Sequence, residues 1–405
     1  FQRRLRRGAF GWKNTAARNV MKAALAEVRT AARSDPALAA EGCVRLVERI
    51  PPAFERVDDS SGALQSDIRR ALDLLTGLLA RSEADEQTHA RWLARLWTAY
   101  VNDEMPWIEG LAERWGALCI TAERAAAEAD RLAALEADAP EPAPGELPSH
   151  IRLEIPLLST LQHAGHFEAI LERLPKASSF WIPEQWAIAA LRGLGRRAEA
   201  LRRIREIPAD RRWQAAERVA ESILLESGME EEAWTHHALR AAEDGSRMRW
   251  LRTLRERYPR RSPEAILDRL VATTPGSEGR WFAAARQAGM LDAALALAER
   301  APAEPATLIT AVKQHAESDP AFAHACGLLA AVGLAAGHAF DPEKIDVDAL
   351  AWGLVRSARA LGLEAEPGRP LLEHMTQHAT PMATYWTGRL APALQKALRR
   401  AQAQT

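Results

Sequence analysis

Cysteine is scarce in this chain of 405 residues: Cys43, Cys119 and Cys326 are the only three, and each stands alone. Without a CxxC spacing they give neither a disulfide framework nor a zinc site, so a reducing cytoplasm is the expected setting. Lysine is nearly missing too. Only six of the 53 basic residues are lysine, a skew that, with the abundant alanine, reads as GC-rich coding bias before it reads as arginine chemistry. No charge of one sign dominates, because 54 acidic residues leave a net charge of −1. That excludes a chain that coats nucleic acid along its whole length. Strand signals are absent as well: no sustained alternation of β-branched and polar residues, and no Asn-Gly hairpin turn. Nor is there a phosphate-binding glycine loop or a GxSxG elbow. The glycines of 274–279 have no Lys-Ser/Thr behind them and read as a turn into the next helix.

Long apolar runs are limited to one. Residues 321–340 contain no Asp, Glu, Lys or Arg and have the length a bilayer needs. His324, His338, three glycines and much alanine make this a helix buried among helices rather than a membrane span. The opening segment 1–12 is arginine-rich with no apolar stretch behind it, so it is not expected to act as a secretory signal.

What the sequence does have is helical period nearly everywhere, as in the spacing of Leu25, Val28, Leu38, Val44 and Val47. Ser34-Asp35-Pro36 and Ser318-Asp319-Pro320 each place an N-cap residue before a proline in a first turn. The chain is expected to be all-α. Four prolines within 138–149 predict an extended linker, dividing an N-terminal block at 1–137 from the chain beyond 150. A break at Pro302 and Pro305 sets off a C-terminal block at 301–405, and a further break lies at Pro367 and Pro370.

Between these blocks, at 151–300, an acid-alanine pair recurs at Glu168-Ala169, Glu199-Ala200, Glu232-Ala233, Glu264-Ala265 and Asp292-Ala293. Gly165, Gly195, Gly228 and Gly289 precede four of the five pairs; Arg260 and Arg261 stand there in the remaining one. Each unit reads as helix, tight turn, helix. Glycine closes the first helix in the left-handed conformation, the acid sits in the favourable first turn of the second, and alanine permits close approach.

The stretch 186–201, WAIAALRGLGRRAEAL, resembles the middle of a tetratricopeptide-type repeat, and the other glycine-centred units resemble it more loosely. The likeness extends over about 157–300. The chain as a whole, through AFGWKN at 9–14 and TTPGSEGRWFAAA at 273–285, resembles an uncharacterised bacterial family. The repeat resemblance implies a right-handed α-solenoid of antiparallel helix pairs, tetratricopeptide- or HEAT-like, whose faces bind other macromolecules. It implies no chemistry and no cofactor.

Candidate sites follow from that reading. A groove around Trp186, Arg197, Trp213, Trp234, Trp250 and Trp281 offers the residue types that anchor protein partners. The same region is rich in arginine, and Arg196, Arg197, Arg203, Arg249, Arg252 and Arg260 on one face would make a trough able to follow phosphates while rings stack on bases. A basic arm carrying Arg3, Arg4, Arg6 and Arg7 adds to this second reading, although Glu217, Glu221 and Glu230–Glu232 would neutralise part of the trough. A third reading gathers Asp58, Asp59, Asp103 and Glu104 around a divalent cation, against the plainer role of Asp and Ser as caps and turn residues. His374 and His378, one turn apart, lack the order of a zinc protease helix. The expected function is a non-enzymatic interaction scaffold or subunit of a larger assembly, with nucleic-acid binding as the alternative.

Overall fold

The computed structural model describes residues 4–138, 151–174, 184–339, 345–363 and 380–403. Among these the protein has 21 α-helices and no strand, as the missing β-pattern predicts. The chain divides into two compact units, 1–212 and 213–405.

In the first unit the helices are α1 (Asn14–Ala31), α2 (Pro36–Phe54), α3 (Ala63–Arg81), α4 (Glu86–Val101), α5 (Gly110–Leu118), α6 (Ala122–Ala137), α7 (Ile151–Ala164), α8 (Phe167–Arg173), α9 (Gln185–Gly193) and α10 (Arg197–Glu206). Asp35 caps α2 by accepting from the Leu38 N–H at 2.9 Å, with Pro36 in the first turn. The apolar faces of α1 to α6 meet around Leu46, Ile50, Leu64, Trp92 and Trp115, all essentially without solvent contact. The proline-rich stretch is not a boundary between packing units. Its residues 139–150 lie outside the described ones, but α7 packs on α5 and α6 beyond it. Gly116 on α5 makes that contact possible, its N–H donating to Ser159 Oγ at 2.9 Å while Ser159 donates to the Glu113 carbonyl at 2.8 Å. The division between the two compact units falls at 212/213, inside the stretch expected to form a single repeat array.

The second unit comprises α11 (Gln214–Glu226), α12 (Glu230–His236), α13 (Ala238–Ala242), α14 (Arg247–Arg257), α15 (Pro263–Val271), a 3-10 turn (Glu278–Trp281), α16 (Phe282–Gln287), α17 (Leu291–Arg300), α18 (Pro305–His315), α19 (Pro320–Ala335), α20 (Val347–Ala360) and α21 (Pro381–Gln402). Asp319 caps α19 from the Phe322 N–H at 3.0 Å. The uncharged stretch lies in α19, where Ala323, Cys326, Gly327, Ala330 and Ala331 are buried. A side chain at Gly327 would run into Leu354 and one at Gly353 into Val312, so small residues let α18, α19 and α20 pack closely. Among the described residues no helix is long and apolar enough to cross a membrane.

The repeat glycines do what their spacing predicts. Gly165, Gly195, Gly228 and Gly289 have φ between +73° and +83°. In each turn the N–H after glycine reaches back five residues: His166 to Leu161, Arg196 to Leu191, Met229 to Leu224 and Met290 to Ala285, at 2.8–3.0 Å. That is the Schellman closure, which occupies carbonyls the helix end leaves open. The fifth unit closes differently. Ser262 caps α15 with Pro263 behind it, and burial there moves from Ala265, which is exposed, to Ile266. Among the described residues, the most extensive helix packing within each unit is between helices adjacent or next-but-one in chain order, with side-chain pairs such as Arg257–Glu221 reaching one helix further.

Candidate functional site

The residues expected to line one groove are distributed over both units. In the first, Trp186 lies in α9 with only 6% of its surface exposed, packed with Leu158, Ile170 and Ala190. Arg197 is exposed at the start of α10. In the second, Trp234 and Trp281 are buried, whereas Trp213 and Trp250 are half-buried. The indole of Trp281 donates to Thr274 Oγ1 at 2.8 Å, and that of Trp250 to the Leu239 carbonyl at 3.0 Å with its ring 5.8 Å from Trp281. Trp234 meets Tyr258 edge-on at 5.0 Å, and the guanidinium groups of Arg261 and Arg269 cover its ring at 4.8 and 4.5 Å. Trp186, Trp234 and Trp281 are thus core pieces, out of reach of a partner. The physical reason is their area: an indole on a short helix pair is the largest apolar surface available to tie consecutive helices together.

Five of the six arginines expected to line a trough stand beside carboxylates. Arg196 binds Glu199 at 2.6 Å and Glu168 at 3.6 Å, and Arg203 is paired with Glu184. Arg249 meets Asp244 at 3.1 Å, Arg252 meets Glu256 at 3.9 Å and Arg260 meets Glu230 at 3.6 Å. Arg261 pairs with Glu231. In each unit the repeats set arginines beside carboxylates. In the second unit a cleft of about 730 Å³ lies at the turn ends of α11–α12 and α14–α15. Exposed Met229 stands there, with the Arg260–Glu230 and Arg261–Glu231 pairs on its walls.

Two of the acids expected to neutralise the arginines are buried and each meets one: Glu217 lies 4.0 Å from Arg240, and Glu221 pairs with Arg257. Glu217 accepts from His237 Nδ1 at 2.6 Å, both side chains 1% exposed. Glu221 accepts from the Tyr258 hydroxyl at 2.8 Å and pairs with Arg257. Burial pushes the Glu221 carboxyl up against the downward pull of those two partners. The signal in the sequence is that Glu217 and Glu221 sit one turn apart on the face that also carries Ala216, Ala220 and Leu224.

The basic arm is folded onto its unit from residue 4 on. Leu5 and Phe10 are buried, and Phe10 meets Phe54 edge-on at 5.4 Å. The Gly8 N–H donates to the Pro52 carbonyl, Arg7 pairs with Glu55 at 3.2 Å, and Arg4 and Arg6 remain exposed. Arg3 lies outside the described residues. Apolar residues interleaved with the charges anchor the segment, which composition alone reads as a free arm.

The acidic loop is a cap. Asp59 accepts from the N–H groups of Leu64 and Gln65 at 2.9 and 2.7 Å and from Asn14 Nδ2 at 3.1 Å, while Asp58 accepts from the Ser60 N–H. Among the described residues no three His, Cys, Asp or Glu side chains come together in a way that could hold a metal ion. Glu104 is exposed and Asp103 buried. His374 and His378 lie outside the described residues. All three cysteines are buried, and burial pushes each thiol up to about 12, far from the thiolate a nucleophile needs. Comparison with protein-family models, with curated proteins and with solved structures gives no match.

Proposed function

We propose that the chain is a protein-binding scaffold built as an α-solenoid, working as a cytoplasmic subunit of a larger assembly. One observation carries this reading: within each unit, helices in substantial contact are near neighbours in chain order. An array of that kind exposes a long surface in proportion to its core. Left-handed glycine turns at four repeat positions support it, and so do three separate, buried thiols for the reducing compartment. The charge pairs favour a protein partner over nucleic acid, because the carboxylates beside Arg196, Arg203, Arg249 and Arg260 lower the positive potential a phosphate chain would follow.

The binding face in the second unit is the Met229 cleft, an apolar side chain rimmed by paired charges of both signs. Affinity capture of the full chain from native lysate, with nuclease and at high salt, is expected to retain defined proteins. Met229→Glu combined with Arg260→Glu should cut that retention at least about tenfold if the face contributes a hot spot. Retention unchanged by the pair removes this face from the reading. Recovery of nucleic acid that washes off steeply with salt would replace the reading with the nucleic-acid one.

A further inference from the structure

In the first unit α1 and α3 lie side by side and run in the same direction. Their N-terminal ends are tied together: Asn14 Nδ2 donates to Asp59 in the turn before α3, and Arg18 Nε to Asp67, both at 3.1 Å. Arg18, Lys22 and Arg29 follow at steps of four and seven residues, so they share one face of α1. Arg33 stands in the turn that closes the helix. Together they make a row about 20 Å long. Across from it, the offset of 49 residues between Arg18 and Asp67 sets Arg70 level with Met21, next to Lys22. The same offset sets Arg81 level with Ala32, next to Arg33. Arg81 donates to the Gly77 carbonyl at 3.0 Å. Lys22, Arg29 and Arg33 are exposed, with no side-chain hydrogen bond or ion pair among the described residues.

Charge is segregated here, whereas the repeat arginines stand beside carboxylates. The acid between the two helices is Asp67, buried and shared by Arg18 and Arg70. Glu27, the only acid before Asp35, lies half a turn round α1 from Arg18. At the far end Asp35 and Asp85 are occupied in capping α2 and α4, and Glu83 follows in the turn after α3. What the face lacks is as specific. Neither α1 nor α3 contains an aromatic residue, and neither exposes a large apolar side chain. Protein partners are anchored by aromatic hot spots, single-stranded nucleic acid by rings that stack on its bases, and a bilayer surface by apolar side chains beside cations. None of those anchors is present. A duplex is held through its phosphates alone, but its backbone winds with a repeat of about 34–36 Å, so a straight row follows it only in part.

We propose that the α1–α3 face binds a flexible chain of phosphates without bases, an inorganic polyphosphate, laid along α1. Lys22, Arg29 and Arg33 are its principal contacts, with Arg18, Arg70 and Arg81 beside them. Such a chain offers negative charge and acceptor oxygens and nothing else, which matches a face of cationic donors without rings or apolar anchors. Its flexibility lets it follow a straight row. A long chain meets all the cations at once, whereas triphosphate meets a few, so effective concentration favours length. The proposal is independent of the scaffold reading and concerns a different face, so either can fail alone.

The test is titration calorimetry of the full chain with long-chain inorganic polyphosphate, inorganic triphosphate, single-stranded DNA, duplex DNA, and phosphatidylcholine vesicles containing phosphatidylglycerol. Polyphosphate is expected to bind at least about tenfold more tightly than any other probe. Its affinity should fall with salt at a log–log slope of about −4, the value for six contacts on a single chain. Lys22→Glu combined with Arg29→Glu, at exposed and unpaired positions, should weaken polyphosphate at least about tenfold with the far-UV circular dichroism unchanged. Lys22→Arg combined with Arg29→Lys keeps both charges and should keep the affinity. Arg33→Gln removes one charge in a turn, without touching a helix, and should weaken binding about threefold or more. Met229→Glu combined with Arg260→Glu should leave polyphosphate binding unchanged, which separates this face from the one proposed for a protein partner. No binding of polyphosphate at low salt, an affinity for either DNA or the vesicles that equals it, or polyphosphate binding unchanged by Lys22→Glu with Arg29→Glu would each overturn the proposal.

Discussion

Two buried or half-buried carboxylates show how the same group takes opposite roles. Burial pulls Glu41 up, but hydrogen bonds from Trp92 at 2.6 Å, Arg95 at 2.9 Å and Arg45 at 2.5 Å overcome it and hold the carboxyl at about 2. Asp103 has its two main-chain donors on one side and burial on the other, and burial wins, leaving it at about 6. The signs of the stability effects follow. Glu41 has a depressed value, so its contribution is present above about 4.5 and lost as the pH falls through about 2. Asp103 has a raised value, so its folded state holds the proton more tightly and stability falls as the pH rises from about 4 to about 6. Denaturant unfolding of Asp103→Asn against the native chain checks this. The native chain should gain about 2 kcal/mol relative to the variant between pH 7 and pH 4, less than the full shift at about 1.4 kcal/mol per unit because the unfolded carboxyl is itself partly protonated at pH 4. Against Glu41→Gln the native chain should instead lose ground as acid is added below pH 4.5. Nothing in the local sequence announces either role: VNDEMP reads as a polar turn, and only the arrival of α7 and Trp107 makes Asp103 a buried acid.

At the scale of the element, glycines separate what sequence can tell from what it cannot. Gly195 is legible because its requirement is local: a helix must end there, the backbone turns to φ +73°, and a Cβ would meet open space. Gly195→Ala is expected to cost about 1–2 kcal/mol from left-handed strain alone, and Gly195→Asn less. Gly116 sits inside a helix and its requirement is distant, since a Cβ there would run into the Ser159 carbonyl oxygen on α7. Gly116→Ala, although favourable for the helix itself, should cost about 3 kcal/mol, the upper range for overpacking, because main chain has to move. Thermal unfolding of the two variants ranks them, and a Gly116→Ala as stable as the native chain would contradict the α5–α7 contact. The same division explains the candidate site. Caps such as Asp35, Asp59 and Asp319 and the helical periods are written within a few residues. Whether Trp186 faces solvent or Leu158, and whether Glu217 is exposed or buried against His237, depends on a helix some twenty or more residues away.

For the whole molecule the pattern of contacts matters more than any one of them. Each unit has its own core, with Trp92 and Trp115 fully buried in the first and Trp281 and Trp386 in the second. Among the described residues the most extensive packing within a unit joins helices adjacent or next-but-one in chain order. Few contacts then tie sequence-distant parts into one cooperative block, and stability becomes close to a sum of local and nearest-neighbour contributions. Urea unfolding is accordingly expected to depart from a single transition. Far-UV circular dichroism weighs every helix, whereas tryptophan fluorescence weighs the few that bury indoles, so their midpoints should separate. The apparent m-value of either should fall below that of a one-step unfolding of 405 residues, because m follows the surface exposed in each step. Substitution at Trp115 should shift the early or the late part of the fluorescence curve and leave the rest in place, with substitution at Trp281 acting on the other part. Coincident curves with a full-size m-value would mean that cooperativity extends across the chain. In that case the scaffold reading would lose the property that motivates it, a surface whose segments hold their shape largely on their own neighbours.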